Sequence, residues 1–139
     1  MQFHGGVYRS DDAGTSWSDI GAGLPSDFSF PLAIDPADPD SAFVIPLVAD
    51  TDRVTPEGRL RVYETRDGGR SWQPRGEGLP QEHAYLTVLR QAFDHAGQGE
   101  ELELYFGTTT GEVFGSADAG ASWATLATHL PPVYSLVAG

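Results

Sequence analysis

One eleven-residue pattern occurs three times without a gap in this 139-residue chain, at residues 7–17, 62–72 and 113–123. Each copy reads Val, aromatic, any residue, Ser or Thr, any, Asp, any, Gly, any, Ser, Trp. The hydroxyl positions are Ser10, Thr65 and Ser116, and the carboxylates are Asp12, Asp67 and Asp118. The glycines are Gly14, Gly69 and Gly120. The only three tryptophans of the chain, Trp17, Trp72 and Trp123, close the copies and stand 55 and 51 positions apart. Seven residues after each tryptophan a second echo follows, at Leu24-Pro25, Leu79-Pro80 and Leu130-Pro131. An internal repeat of this length marks one supersecondary unit used several times.

Each position has a mechanical meaning. Valine and the aromatic suit a short strand. The Ser/Thr hydroxyl and the Asp carboxylate can accept backbone N–H bonds inside a turn. Glycine supplies the positive φ that other residues resist. Tryptophan then opens the next strand, and its ring is expected in the core. The repeat therefore predicts a hairpin whose loop is fixed by its own side chains.

Composition narrows the partners. The formal charge is -12, and all eight basic residues are Arg. Nucleic acid is excluded as an expected partner because phosphate neutralisation needs a basic face, and an anionic membrane surface is disfavoured on the same ground. No apolar run reaches the roughly 20 residues needed to span a bilayer. The absence of cysteine removes disulfides and thiolate chemistry. No basic and apolar leader is visible at the start of the sequence. Together these favour the cytoplasm slightly. Seventeen Gly and ten Pro punctuate the chain as expected for many short strands.

The pattern Ser/Thr-x-Asp-x-Gly-x-x-Trp resembles the Asp box, the BNR repeat of sialidase-like and sortilin-like β-propellers and of bacterial BNR-repeat glycosyl-hydrolase-like proteins. The resemblance covers nearly the whole chain. It implies an all-β fold of about three four-stranded antiparallel blades, with each box joining a blade's third and fourth strands.

The rest of the sequence is assigned on that frame. Apolar runs at 28–34 and 42–47 flank the turn-rich Asp35-Pro36-Ala37-Asp38-Pro39-Asp40, and Pro46 predicts a strand end or bulge. Residues 84–92 read as a strand, 94–99 as a loop and 102–107 as an alternating strand. No stretch carries helical periodicity with caps. Residues 1–139 form a single segment with repeats at approximately 1–25, 26–80 and 81–131, and 132–139 forms a lone final strand. The strands are thus permuted, beginning and ending in mid-blade. Propellers have about 4–8 blades. Three blades then imply either the missing blades of a longer chain or self-association, two chains giving a two-fold six-bladed ring.

The functional residues are harder to place. The Arg-Ile/Leu-Pro motif of sialidases is absent, since Val44 precedes Ile45-Pro46. Arg53, Arg59, Arg61 and Arg90 show no triad spacing, and no catalytic residue transfers. Glu57, Glu64, Glu77, Glu82 and Glu100 are the carboxylates a two-acid glycosidase could draw on. The acidic clusters Asp35, Asp38, Asp40 and Asp50, Asp52 leave room for a weak Ca2+ site and imply no other cofactor. His4, His83, His95 and His129 lack zinc-like spacing, with His83 and His129 expected between blades. Two functions stay open: a non-catalytic propeller module that binds a ligand or protein, and a sialidase-like glycoside hydrolase fragment lacking a complete site.

Overall fold

A computed structural model describes residues 1–3 and 5–139. His4, one of the four scattered histidines, lies outside the described residues. The architecture is all-β. Three separate antiparallel sheets follow one another along the chain, each an up-and-down meander. The first holds β1 (Gln2–Phe3), β2 (Gly6–Arg9) and β3 (Ser18–Asp19). The second holds β4 (Phe28–Ile34), β5 (Ala42–Leu47), β6 (Val62–Thr65) and β7 (Gln73–Arg75). The third holds β8 (Phe93–Ala96), β9 (Glu103–Gly107), β10 (Val113–Ser116) and β11 (Ala124–Ala127). Among the described residues the helical structure is three short 3-10 turns.

The middle sheet is buried on both faces, and alternation along its strands explains how. On one face Phe43, Ile45 and Val62 meet Leu104, Phe106, Phe114 and Trp123 of the third sheet. On the other, Val44 and Trp72 meet Val7 of the first sheet, with Tyr63, Ile20 and Leu24 packed around them. Neighbouring residues of one strand thus serve two different interfaces, as a period of two requires. The last strand of each sheet is largely exposed, so every sheet presents an outer edge to solvent.

Pro46, expected at a strand end or a bulge, lies within β5 and pairs with Ser29; the adjoining register shift, between Ser29 and Leu32, has its extra residue on β4. Three expectations need correction. Residues 84–92 are not a strand: Ala84, Leu86 and Val88 are buried at alternate positions, which imitates a strand, yet the segment belongs to a linker over the core. Its backbone bonds run to Gly58 and Thr109 rather than along a ladder. Consequently 94–99 is not wholly a loop, since the innermost strand of the third sheet is β8. Residues 132–139 form no strand either. Pro131 and Pro132 lack N–H groups, and the segment is tied by Val133 N–H to the Thr108 carbonyl and Leu136 N–H to the Gln91 carbonyl.

Candidate functional site

The three boxes occupy the β2–β3, β6–β7 and β10–β11 turns. In the middle one, Gly69 N–H donates to Thr65 Oγ1 at 2.8 Å and Thr65 donates to Asp67 Oδ1 at 2.8 Å. Ser71 N–H donates to Oδ1 of the same carboxylate at 2.9 Å and its hydroxyl to Oδ2 at 2.7 Å. Ser10, Asp12, Gly14 and Ser16 make the same four bonds. So do Ser116, Asp118, Gly120 and Ser122. Two successive residues per box have positive φ: Ala13 and Gly14, Gly68 and Gly69, Ala119 and Gly120.

The bonds hold the carboxylates ionised. The backbone N–H and hydroxyl of Ser16, then the Ser10 hydroxyl, pull Asp12 down to about 2. The Ser71 hydroxyl and N–H, then Thr65, do the same to Asp67, also to about 2. At Asp118 burial pushes upward, and the bonds from Ser122 and Ser116 outweigh it. Each carboxylate spends both oxygens on its own turn, which leaves it poorly placed to bind anything else.

The boxes differ in what surrounds them. Trp72 and Trp123 are each 6% exposed, and Trp17 is 47% exposed. The Trp72 indole N–H crosses to the preceding sheet and donates to the Ile20 carbonyl at 2.7 Å. Trp123 N–H of the backbone bonds the Glu77 carbonyl of the second sheet at 2.9 Å. Trp17, expected in the core, instead donates to Gly14 of its own turn at 3.2 Å. Around it lies an open groove of about 360 Å³ that extends to Val7, Ile20, Leu32 and Ile34. Arg9 lies along this groove, paired with Asp11 at 2.7 Å and with Asp40 of the second sheet at 2.5 Å.

The other acids serve as ties between and within sheets. Asp35 is buried; it accepts Ala37 N–H at 2.9 Å and, across to the third sheet, Gly99 N–H at 3.0 Å. Asp38 accepts the Ser41 hydroxyl at 2.6 Å, which together with Asp40 N–H lowers its pKa. Asp50 pairs with Arg53. Among the described residues no three His, Asp or Glu side chains gather where they could hold a metal ion. Glu64 is 2% exposed and is clamped by Arg66 at 2.5 Å and Arg75 at 2.7 Å. Glu64 and Glu100 both line a groove between the second and third sheets. Glu57 stands exposed beside Arg59 and Arg61, at 3.7 and 3.8 Å. Glu77 and Glu82 are exposed, as are His83 and His129 in the connections after the second and third sheets. Sequence reasoning missed the Glu64 clamp and the Asp35–Gly99 tie. Strand pairing brings Arg75 to Glu64 and the packing of the sheets brings Gly99 to Asp35, neither of which a local pattern announces.

No protein-family model matches the chain. Over 67 residues, 48% of its length, the chain is 39% identical to a protein from Verticillium alfalfae described as vacuolar protein sorting/targeting protein 10. It spans 4% of that protein. Its fold is similar to that of an ancestral GH74 enzyme, with a TM-score of 0.61 at 18% identity over 90% of this chain and 16% of the other. These likenesses make the three sheets a propeller-type module, and the sheets are called blades below.

Proposed function

We propose that this chain is a segment of an Asp-box β-propeller that works as a non-catalytic binding module for a protein partner. The observation that carries the proposal is the closed hydrogen-bond set of the three boxes. The Ser/Thr, Asp, Gly and second Ser of each box are spent on holding a turn, so the repeat accounts for shape and supplies no reacting group. The carboxylates best placed by burial point the same way: Glu64 is saturated by two guanidiniums. A protein partner is favoured by the sorting and targeting role named for the fungal relative.

The competing function is a glycoside hydrolase fragment, motivated by the acidic groove that holds Glu64 and Glu100. A panel of aryl glycosides, including the sialic acid derivative, separates the two. No release of the aryl group is expected. Turnover that disappears in Glu64→Gln or Glu100→Gln would overturn the binding-module proposal.

A further inference from the structure

Two grooves lie at equivalent places beside the boxes, one between the first and second blades and one between the second and third. The register of the repeat makes the match. Arg9 and Asp11 line the first where Glu64 and Arg66 line the second, and Gly68 stands where Ala119 stands. The linings differ in kind. Carboxylates dominate the second, with Asp35, Asp38, Glu64, Glu100 and Asp118 around it. The first, of about 360 Å³, is lined by Val7, Ile20, Leu32, Ile34 and Ala42. Ile34 ends β4 and is 46% exposed. By strand register its counterpart in the third blade is His95. The apolar lining therefore belongs to this groove and not to the repeat.

The polar residues of the first groove are held in a fixed arrangement. Arg9 donates to Asp11 Oδ1 of its own blade, and to Asp40 Oδ1 and the Pro39 carbonyl of the second blade. Gly68 makes room for it: a Cβ there would stand 2.5 Å from Arg9 Nη1. The other two boxes have alanine at this position, Ala13 and Ala119, with φ of 57° and 54° against 72° at Gly68. The turn thus accepts alanine, and what glycine supplies in the second box is the seat for the guanidinium. Among the side chains of this groove one guanidinium faces two carboxylates, Asp11 and Asp40, whose side chains are 76% and 52% exposed. One negative charge is left in excess. Among the described residues Asp11 Oδ2 and Asp40 Oδ2 accept no hydrogen bond, whereas each box carboxylate spends both oxygens on its turn.

We propose that this groove docks a short peptide segment of a partner protein, in which an aliphatic or aromatic side chain enters beside Leu32 and Ile34 and a neighbouring Lys or Arg pairs with Asp11 and Asp40. The inference rests on the partner-binding reading of the chain and deepens it. Charge selects the occupant: the excess carboxylate at the groove and the -12 of the whole chain both favour a basic segment. Size agrees, since the volume falls at the small end of the roughly 300–1,000 Å³ of ligand clefts. The apolar anchor supplies most of the affinity, because an exposed ion pair contributes little. The cation sets which segments are accepted.

Nuclear magnetic resonance of the full chain, titrated with the capped peptide acetyl-Ser-Leu-Phe-Lys-Lys-Ser-amide, tests this. Shifts are expected at the methyl groups of Leu32, Ile34 and Ala42. Replacing both lysines of the peptide by glutamate, or Leu-Phe by Ser-Ser, is expected to abolish them. Ile34→Lys is expected to weaken binding about tenfold or more, and Asp11→Asn about threefold, the scale of one exposed ion pair. Both positions are exposed, circular dichroism checks that the variants fold, and the comparison of peptides on the unaltered chain needs no variant. No methyl shift at about 1 mM peptide overturns the docking. So do shifts gathered instead at Phe43 and Leu102 of the second groove, or equal binding of the glutamate peptide. Shifts at the first groove that grow with protein concentration alone assign it to a second copy and overturn the peptide. In each of these cases the partner-binding reading still stands or falls on the glycoside panel, where turnover lost in Glu64→Gln or Glu100→Gln sinks it whatever the peptide does.

Discussion

The first and second boxes carry the same four hydrogen bonds at nearly the same lengths, yet they live in different surroundings. Ser10, Asp12 and Trp17 face water or an open groove; Thr65 and Trp72 are buried against the first blade. The comparison separates two contributions that a motif normally merges. Turn geometry is local and forms wherever the pattern is written. Burial is supplied by the neighbouring blade, and at the first box Trp17 stays 47% exposed beside an open groove. Identical sequence motifs therefore do not carry identical stability.

Paired substitutions put numbers on that difference, read as unfolding free energies from denaturant titrations. Trp72→Ala is expected to cost about 3–5 kcal/mol, the usual range for a buried aromatic, and Trp17→Ala in the isolated chain within about 0.5 kcal/mol, as for a surface site. Comparable losses at both positions would erase the distinction. Gly14 and Gly69 share a φ of 88°, so alanine at either incurs the same left-handed strain of about 1–2 kcal/mol. Gly69→Ala also drives a methyl into Ile20, adding about 1–3 kcal/mol of overpacking. Next comes the hydroxyl pair. Thr65→Val strands the buried Gly69 N–H at about 1–3 kcal/mol, whereas Ser10→Ala leaves an exposed N–H that water can satisfy and is expected to cost less than about 1 kcal/mol.

The smallest expected effect is on pH. Asp12 and Asp67 have folded pKa values lowered from 3.8 to about 2. A depressed carboxylate binds its proton more readily when unfolded, so its stabilisation is present above about pH 4 and drains away as the pH falls towards 2. Thermal melts at pH 7, 4, 3 and 2 should therefore hold level at first and then decline. Asp67→Asn should flatten part of that decline, and an unchanged acid limb would mean the box bonds do not couple to folding.

Much of this was legible in the sequence because the decisive chemistry is short-range. Hydroxyl, carboxylate, glycine and tryptophan lie within eight residues, so the turn could be inferred without knowing what surrounds it. The strands flanking each box followed from that anchor. Residues 84–92 misled because alternate burial of Ala84, Leu86 and Val88 is the same signal whether the segment pairs in a ladder or merely lies across a core. The exposure of Trp17 was hidden for another reason: its repeat position is that of its buried counterparts, and the surroundings that distinguish them are not written in the motif. The Asp35–Gly99 tie joins groups 64 residues apart, beyond the reach of any local pattern.

One tryptophan per box has an optical consequence. Each blade carries a single tryptophan, which can be excited apart from the tyrosines at long wavelength, and the three sit in different dielectric surroundings. Trp17 should emit furthest to the red, as a solvated indole does. Trp123, whose buried indole N–H has no partner among the described residues, should emit furthest to the blue, and Trp72, hydrogen-bonded across the interface, should fall between them. Retaining one tryptophan at a time and replacing the others by phenylalanine would turn the chain into three separate reporters. Unfolding could then be timed blade by blade, without a label.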